Sequence, residues 1–152
     1  MAQVSNGASQ IIAPNRNAVF TNTFIAPQEF GAILPTANQD GLYLRGISPR
    51  RIIGCIQDFF VQYYASFSGN IAVPTGGTAE EISIAITVNG EPIPTGIMIT
   101  TPAAVEELDS VSTQIFVPIP RGCCQNIGIE NLSTQDIELQ NANLTVFKGG
   151  QI

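Results

Sequence analysis

A chain of 152 residues with twelve carboxylates, five Arg and one Lys carries a formal net charge of −6; 12% of its residues are charged and 44% are apolar. The absence of His excludes a His-dependent triad, a His metal site and an imidazole general base. So few cations exclude a basic reader of nucleic acid, and so much apolar surface excludes a disordered polyelectrolyte.

The length suits one domain, in two parts: an arm over residues 1–17 and a folded body over residues 18–148. The arm is rich in Asn, Gln, Ser and Ala. Its start, Met1-Ala-Gln-Val-Ser-Asn-Gly7, lacks the basic and apolar regions of a secretory signal, so a cytosolic origin is expected. It reads as a mobile segment, either disordered or ordered on a partner surface, with Arg16 near its end. No stretch holds the roughly 20 apolar residues of a membrane-spanning helix, so no membrane partner is expected.

From residue 18 onward the period is two, and Pro and Gly interrupt every run that could hold a helix. The first strands are predicted over Ala18–Ile25, Phe30–Leu34, Gly41–Ile47 and Arg51–Gln57. Arg45, Arg50 and Arg51 hold half of the positive charge and form a candidate contact for an acidic neighbour. Phe59, Val61, Tyr63, Ala65 and Phe67 then alternate with polar residues up to Ile71 and Val73. A straight strand of that length would exceed about 50 Å, so a break is predicted near Ser68-Gly69. Tyr63 and Tyr64 point to opposite faces. One enters the core; the other, with Phe60 on the Tyr64 parity, forms an exposed aromatic row of the kind that marks a subunit contact.

Ile82, Ile84, Ile86 and Val88 define the next strand, which ends at Asn89-Gly90, the signature of a type I′ hairpin. The return strand, Glu91 to about Thr100, contains Pro92 and Pro94, which place it at a sheet edge. Thr101–Leu108 suits one helical turn capped by Thr101. Val111 to Ile119 alternates again and stops at Pro118–Gly122. The last two strands are predicted over Cys124–Asn131 and Asp136–Phe147. In the final one the apolar parity changes between Leu139 and Ala142, which predicts a β-bulge near Gln140-Asn141. Some eight to ten short strands imply a sandwich or barrel, and an antiparallel jelly roll accommodates them.

Chemistry is sparse. Cys55, Cys123 and Cys124 are odd in number and cannot complete a zinc site without His, so they read as small buried hydrophobes. Glu80-Glu81 and Glu106-Glu107-Leu-Asp109 are contiguous on turns and read as solvated loops. The sequons at Asn131 and Asn143 read as chance matches. No phosphate loop or dinucleotide fingerprint occurs. No cofactor, metal or catalytic group is therefore expected, and the chain is expected not to be an enzyme. A domain with so few charged side chains needs cover, which homo-oligomerisation supplies.

Ser68–Thr78, Val88-Asn-Gly-Glu-Pro-Ile93, Phe116-Val-Pro-Ile-Pro-Arg-Gly-Cys-Cys-Gln125, Asn131 and Gln140-Asn-Ala-Asn-Leu144 together resemble the TNF/C1q-like jelly-roll domains of bacteria and their phages. These include heads of collagen-like spore-surface proteins and small phage head or fibre proteins. The resemblance covers roughly residues 58–147. It implies an all-β jelly roll and a homotrimer, with Tyr63, Tyr64 and Phe116 as axis residues; the parity of the exposed aromatic row adds Phe60 to the expected interface. There is no Gly-X-Y stalk, and a polar arm replaces a coiled coil. That combination looks most like a phage capsid decoration protein, assembled in the host cytoplasm and carried on the virion. Arg16, Arg45, Arg50 and Arg51 would then meet the major capsid protein or another virion protein. The alternative is a receptor- or glycan-binding head of a fibre or spore-surface protein.

Overall fold

The computed structural model describes residues 2–25, 33–36, 38–46, 60–120 and 122–151. Among them are eleven strands and no helix: β1 Ala2–Asn6, β2 Gln10–Ile12, β3 Asn22–Ile25, β4 Ile33–Pro35, β5 Leu42–Gly46, β6 Phe60–Ala72, β7 Ile82–Val88, β8 Glu91–Thr100, β9 Asp109–Pro120, β10 Gly122–Asn131 and β11 Ile137–Gln151. They form two antiparallel sheets. The first runs β3-β1-β11-β6-β9, with β2 also on β11; the second runs β4-β5-β10-β7-β8. The inward residues of both sheets make one core, including Val4, Phe67, Ile71, Ile84, Ile86, Ile127, Leu139 and Leu144.

Several expectations hold at residue level. The Asn89-Gly90 turn has φ of 52° and 80°, the two positive values that a type I′ turn requires. β8, with its two prolines, is an edge strand of the second sheet. The register of β11 against β6 shifts between Gln140 and Asn143, and Asn141 takes a φ of 54°. Ile137 and Leu139 before the shift and Ala142, Leu144 and Val146 after it are all buried, so the bulge restores the apolar face.

Other expectations are corrected. The expected arm over residues 1–17 is not free from Ala2 onward: β1 lies between β3 and β11, and β2 continues along β11. Ala2, Val4 and Ile12 are buried, while Gln3 and Ser5 face outward. The segment looks like a linker because its outward half belongs to a polar face. The interval between β1 and β2 lies opposite the β11 bulge, so both strands pair in register on either side of it.

β6 is unbroken at Ser68-Gly69. It runs thirteen residues, about 40 Å, with β9 paired along its full length and β11 along most of it. The irregularity is taken up in β11 instead. A Cβ on Gly69 would sit 3.0 Å from Leu139 Cδ1 and 3.2 Å from the Phe67 ring, so this glycine serves close packing. Thr101–Leu108 forms bends and a turn, not a helical turn. Glu106 adopts a φ of 66° and its N–H bonds the carbonyl of Val73 at 2.7 Å, which ties the loop to the end of β6. The strand expected over Arg51–Gln57, together with Cys55, lies outside the described residues.

Candidate self-association face

The outward side chains of the first sheet stand in rows set by strand register. One row is Phe147 on β11, Tyr64 on β6 and Phe116 on β9. The next is Gln3, Thr145, Ser66 and Gln114, and the one after is Ser5, Asn143, Ser68 and Ser112. Gln62 and Pro118 lie beyond the aromatic row, and Asn70 and Ser110 at the opposite end. No position in these rows is an Asp, Glu, Lys or Arg. Glu138 beyond the bulge is where charge returns on this face of β11.

The aromatic row is a stacked unit. The Tyr64 ring meets the edge of Phe116 at a centroid separation of 5.3 Å and lies 4.8 Å from Phe147. The Tyr64 hydroxyl donates to Gln114 Oε1. Phe116 is nevertheless 62% exposed and Phe147 36% exposed. Polar support is local: Gln3 Nε2 donates to Asn143 Oδ1 at 2.8 Å, and Ser110 Oγ to Asn70 Oδ1 at 2.9 Å. Amide and hydroxyl groups of this kind can leave water at modest cost when a partner offers the same groups, whereas a carboxylate or ammonium cannot.

The expected interface residues divide. Tyr64 and Phe116 are brought together on this face. Phe60 pairs with Pro120 in the ladder; its side chain lies outside the described residues. Tyr63 is not on a face that a second copy can reach. It is fully buried between the sheets, and its hydroxyl donates to the Arg45 carbonyl at 2.6 Å. Its parity is that of Val61 and Ala65, which makes it a core residue. Phe147 was missed. Once the bulge near Gln140-Asn141 is placed, the inward parity of Ala142, Leu144 and Val146 turns Phe147 outward, so the signal was present.

The expected cationic contacts also divide. Arg45 is half-buried on β5 and Arg16 is exposed in the segment between β2 and β3; Arg50 and Arg51 lie outside the described residues. The carboxylate clusters are tied into hydrogen bonds within and between the loops that carry them. Glu80 accepts from Gln135 Nε2 at 3.1 Å, Glu106 from Thr75 Oγ1, and Asp109 from Thr100 Oγ1 at 2.9 Å. Among the described residues no three Cys, Asp or Glu side chains converge as metal ligands. Burial pushes the Glu130 carboxyl above its ordinary value. Asn131 is fully buried: its amide donates to the carbonyls of Ile12 and Gln135, each at 2.9 Å, and accepts from the Ser133 N–H at 2.8 Å. Those bonds occupy the amide nitrogen of that sequon.

No protein-family model matches the chain, and no curated protein matches it. Solved structures do. The globular domain of zebrafish complement 1qA protein aligns over 99% of this chain and 98% of its own, at 10% identity and a TM-score of 0.61. The TNF protein Eiger from S. frugiperda aligns over 100% and 94%, at 8% identity and a TM-score of 0.61. The chain is thus an all-β, TNF/C1q-like jelly roll of two antiparallel sheets.

Proposed function

We propose that this jelly roll is a non-enzymatic structural protein that works as a homotrimer. The outer faces of its first sheet pack together around the threefold axis. The observation that carries the reading is the uncharged face itself. Four adjacent strands present amides, hydroxyls and a stacked aromatic row to the outside of a chain that has a net charge of −6. The second sheet, in contrast, carries Arg45 and Glu130 on its outward side. A surface that is dry at one end and polar but uncharged at the other suits a partner bearing the same groups, and a cyclic assembly supplies one.

In its finer form the proposal is a trimer that decorates the outer surface of a phage capsid, contacting the major capsid protein. Support comes from the sequence resemblance to small phage head proteins and from the paucity of charge. Capsid attachment through a loose N-terminal tether is not part of it, because that segment is built into the first sheet. Summed weak contacts from three copies would hold the trimer on the shell. Mass analysis of purified virions tests this reading. The chain is expected at a total copy number per particle that is a multiple of three, and its absence from particles overturns the capsid assignment. A receptor- or glycan-binding head built on the loops at 74–81, 100–109 and 132–135 has less support, since none of these loops contains an aromatic residue for sugar stacking.

A further inference from the structure

A second feature lies on the opposite side of the sandwich. Beyond the start of β5, at Leu42, the segment at 15–18 takes its place beside β10. The Ala18 N–H bonds the Ile129 carbonyl at 2.8 Å, the Asn131 N–H bonds the Arg16 carbonyl at 3.0 Å, and the Asn15 N–H bonds the Asn131 carbonyl at 2.9 Å. Asn17 pairs with Glu130 as an isolated bridge. The turn before β5 lies over the same place: a Cβ on Gly128 would be 2.8 Å from the Asp40 carbonyl oxygen. The result is an open groove of about 350 Å³ lined by Asn15, Arg16, Asn17, Asp40, Gly90 and Glu130.

Three properties set this groove apart. No apolar side chain lines it. The Arg16 guanidinium has no ion-pair partner among the described residues, although it shares the groove with two carboxylates. The backbone that carries these groups is pinned on both sides, and Asp40 is fixed further by the Thr36 hydroxyl, which donates to its Oδ1 at 2.6 Å. Two amides, two carboxylates and a guanidinium are all planar, bidentate hydrogen-bonding groups. Such groups pair well with adjacent hydroxyls on a ring. A peptide or lipid would bring apolar surface that the groove cannot cover, and a simple anion or cation would be opposed by one sign of the charge present.

We propose that this groove binds a saccharide through its vicinal hydroxyl groups, accepted by Asp40 and Glu130 and donated to by Arg16 and the Asn15 and Asn17 amides. Lacking an aromatic floor, it binds weakly, with a dissociation constant of about 1 mM or more for a single ring. Being on the second sheet, it stays open when the first sheet is covered, so the inference stands or falls apart from the trimer. The test is a two-dimensional amide NMR titration of the labelled protein. The probes are the methyl glycosides of glucose, galactose, mannose and N-acetylglucosamine, each to about 50 mM. The expected result is saturable shifts at residues 15–17, 40, 90 and 130 for at least one glycoside. Arg16→Ala and Glu130→Gln should each weaken binding about tenfold while leaving amides elsewhere in place, and Phe116→Ser should bind as the parent does. The proposal is overturned if no glycoside moves these amides, or if the two groove variants titrate like the parent.

Discussion

Replacing Phe116 by Ser should separate the protomers without unfolding them. A Phe side chain offers about 200 Å² of surface. With 62% of it exposed in the isolated chain, about 120 Å² remains to be covered by a neighbour. At about 25 cal/mol per Å² this is about 3 kcal/mol per protomer and about 9 kcal/mol over three equivalent copies. At 1.4 kcal/mol per factor of ten, the association constant for three chains would fall by up to about a million, and the concentration at half-assembly would rise by the square root of that factor, about a thousandfold. Ordering costs at the interface reduce the return on area, so a rise of about a hundredfold in that concentration is the expected outcome. Within one protomer the substitution removes an edge contact with Tyr64, which costs about 1 kcal/mol, and opens no cavity. The assay is light scattering on a dilution series after size exclusion, with urea unfolding as the control for folding. A folded variant whose half-assembly concentration stays within about threefold of the parent would refute the placement of Phe116 at the contact.

Four further outcomes follow from the fold. Asn141→Val, which forces a β-branched residue into the left-handed region at φ 54°, should cost about 1–3 kcal/mol in urea unfolding, whereas Asn141→Gly should be near neutral. Deleting residues 2–12 should expose one side of β11 and the core beneath Val4 and Ile12, so it should lower the thermal midpoint by more than 10 °C; a truncated chain that melts like the parent would restore the free-arm reading. Tyr63→Phe removes the 2.6 Å bond to the Arg45 carbonyl and should destabilise by about 1–2 kcal/mol without changing the oligomeric state. Burial raises the Glu130 carboxyl above its unfolded value, so the folded state holds the proton to higher pH. Stability is full below the unfolded value and declines as pH rises through the folded one; Glu130→Gln should flatten that part of the profile, read as urea midpoints across the acidic range.

Period-two alternation made most strands legible, and the parity change in the last one revealed both the bulge and its place. What the sequence concealed has a common cause. Alternation tells which residues share a face, but not whether the polar side of a strand meets water or a polar sheet face. Residues 2–6 carry the signal in Ala2 and Val4, yet the outward Gln3 and Ser5 make them look like a linker. Gly69 weakens a strand in isolation, but here two flanking strands hold it and Leu139 fills the space that a side chain would need. Tyr63 and Tyr64 are adjacent, and parity with Val61 and Ala65 assigns the first to the core; the family resemblance, which fixes no residue, pulled it to the interface. The groove at Arg16, Asp40 and Glu130 had no local signature at all. Its parts come from four distant segments, at 15–17, 40, 90 and 130, that meet because of how β10 pairs, and pairing across the chain is not written in short-range pattern.

A trimer covers the first sheet's outer face with copies of the same chain, and sedimentation equilibrium of the purified protein at low micromolar concentration reads this directly. A mass of about 48 kDa, three times the 16.1 kDa of one chain, is the predicted result. A single well-behaved species of 16.1 kDa would contradict it.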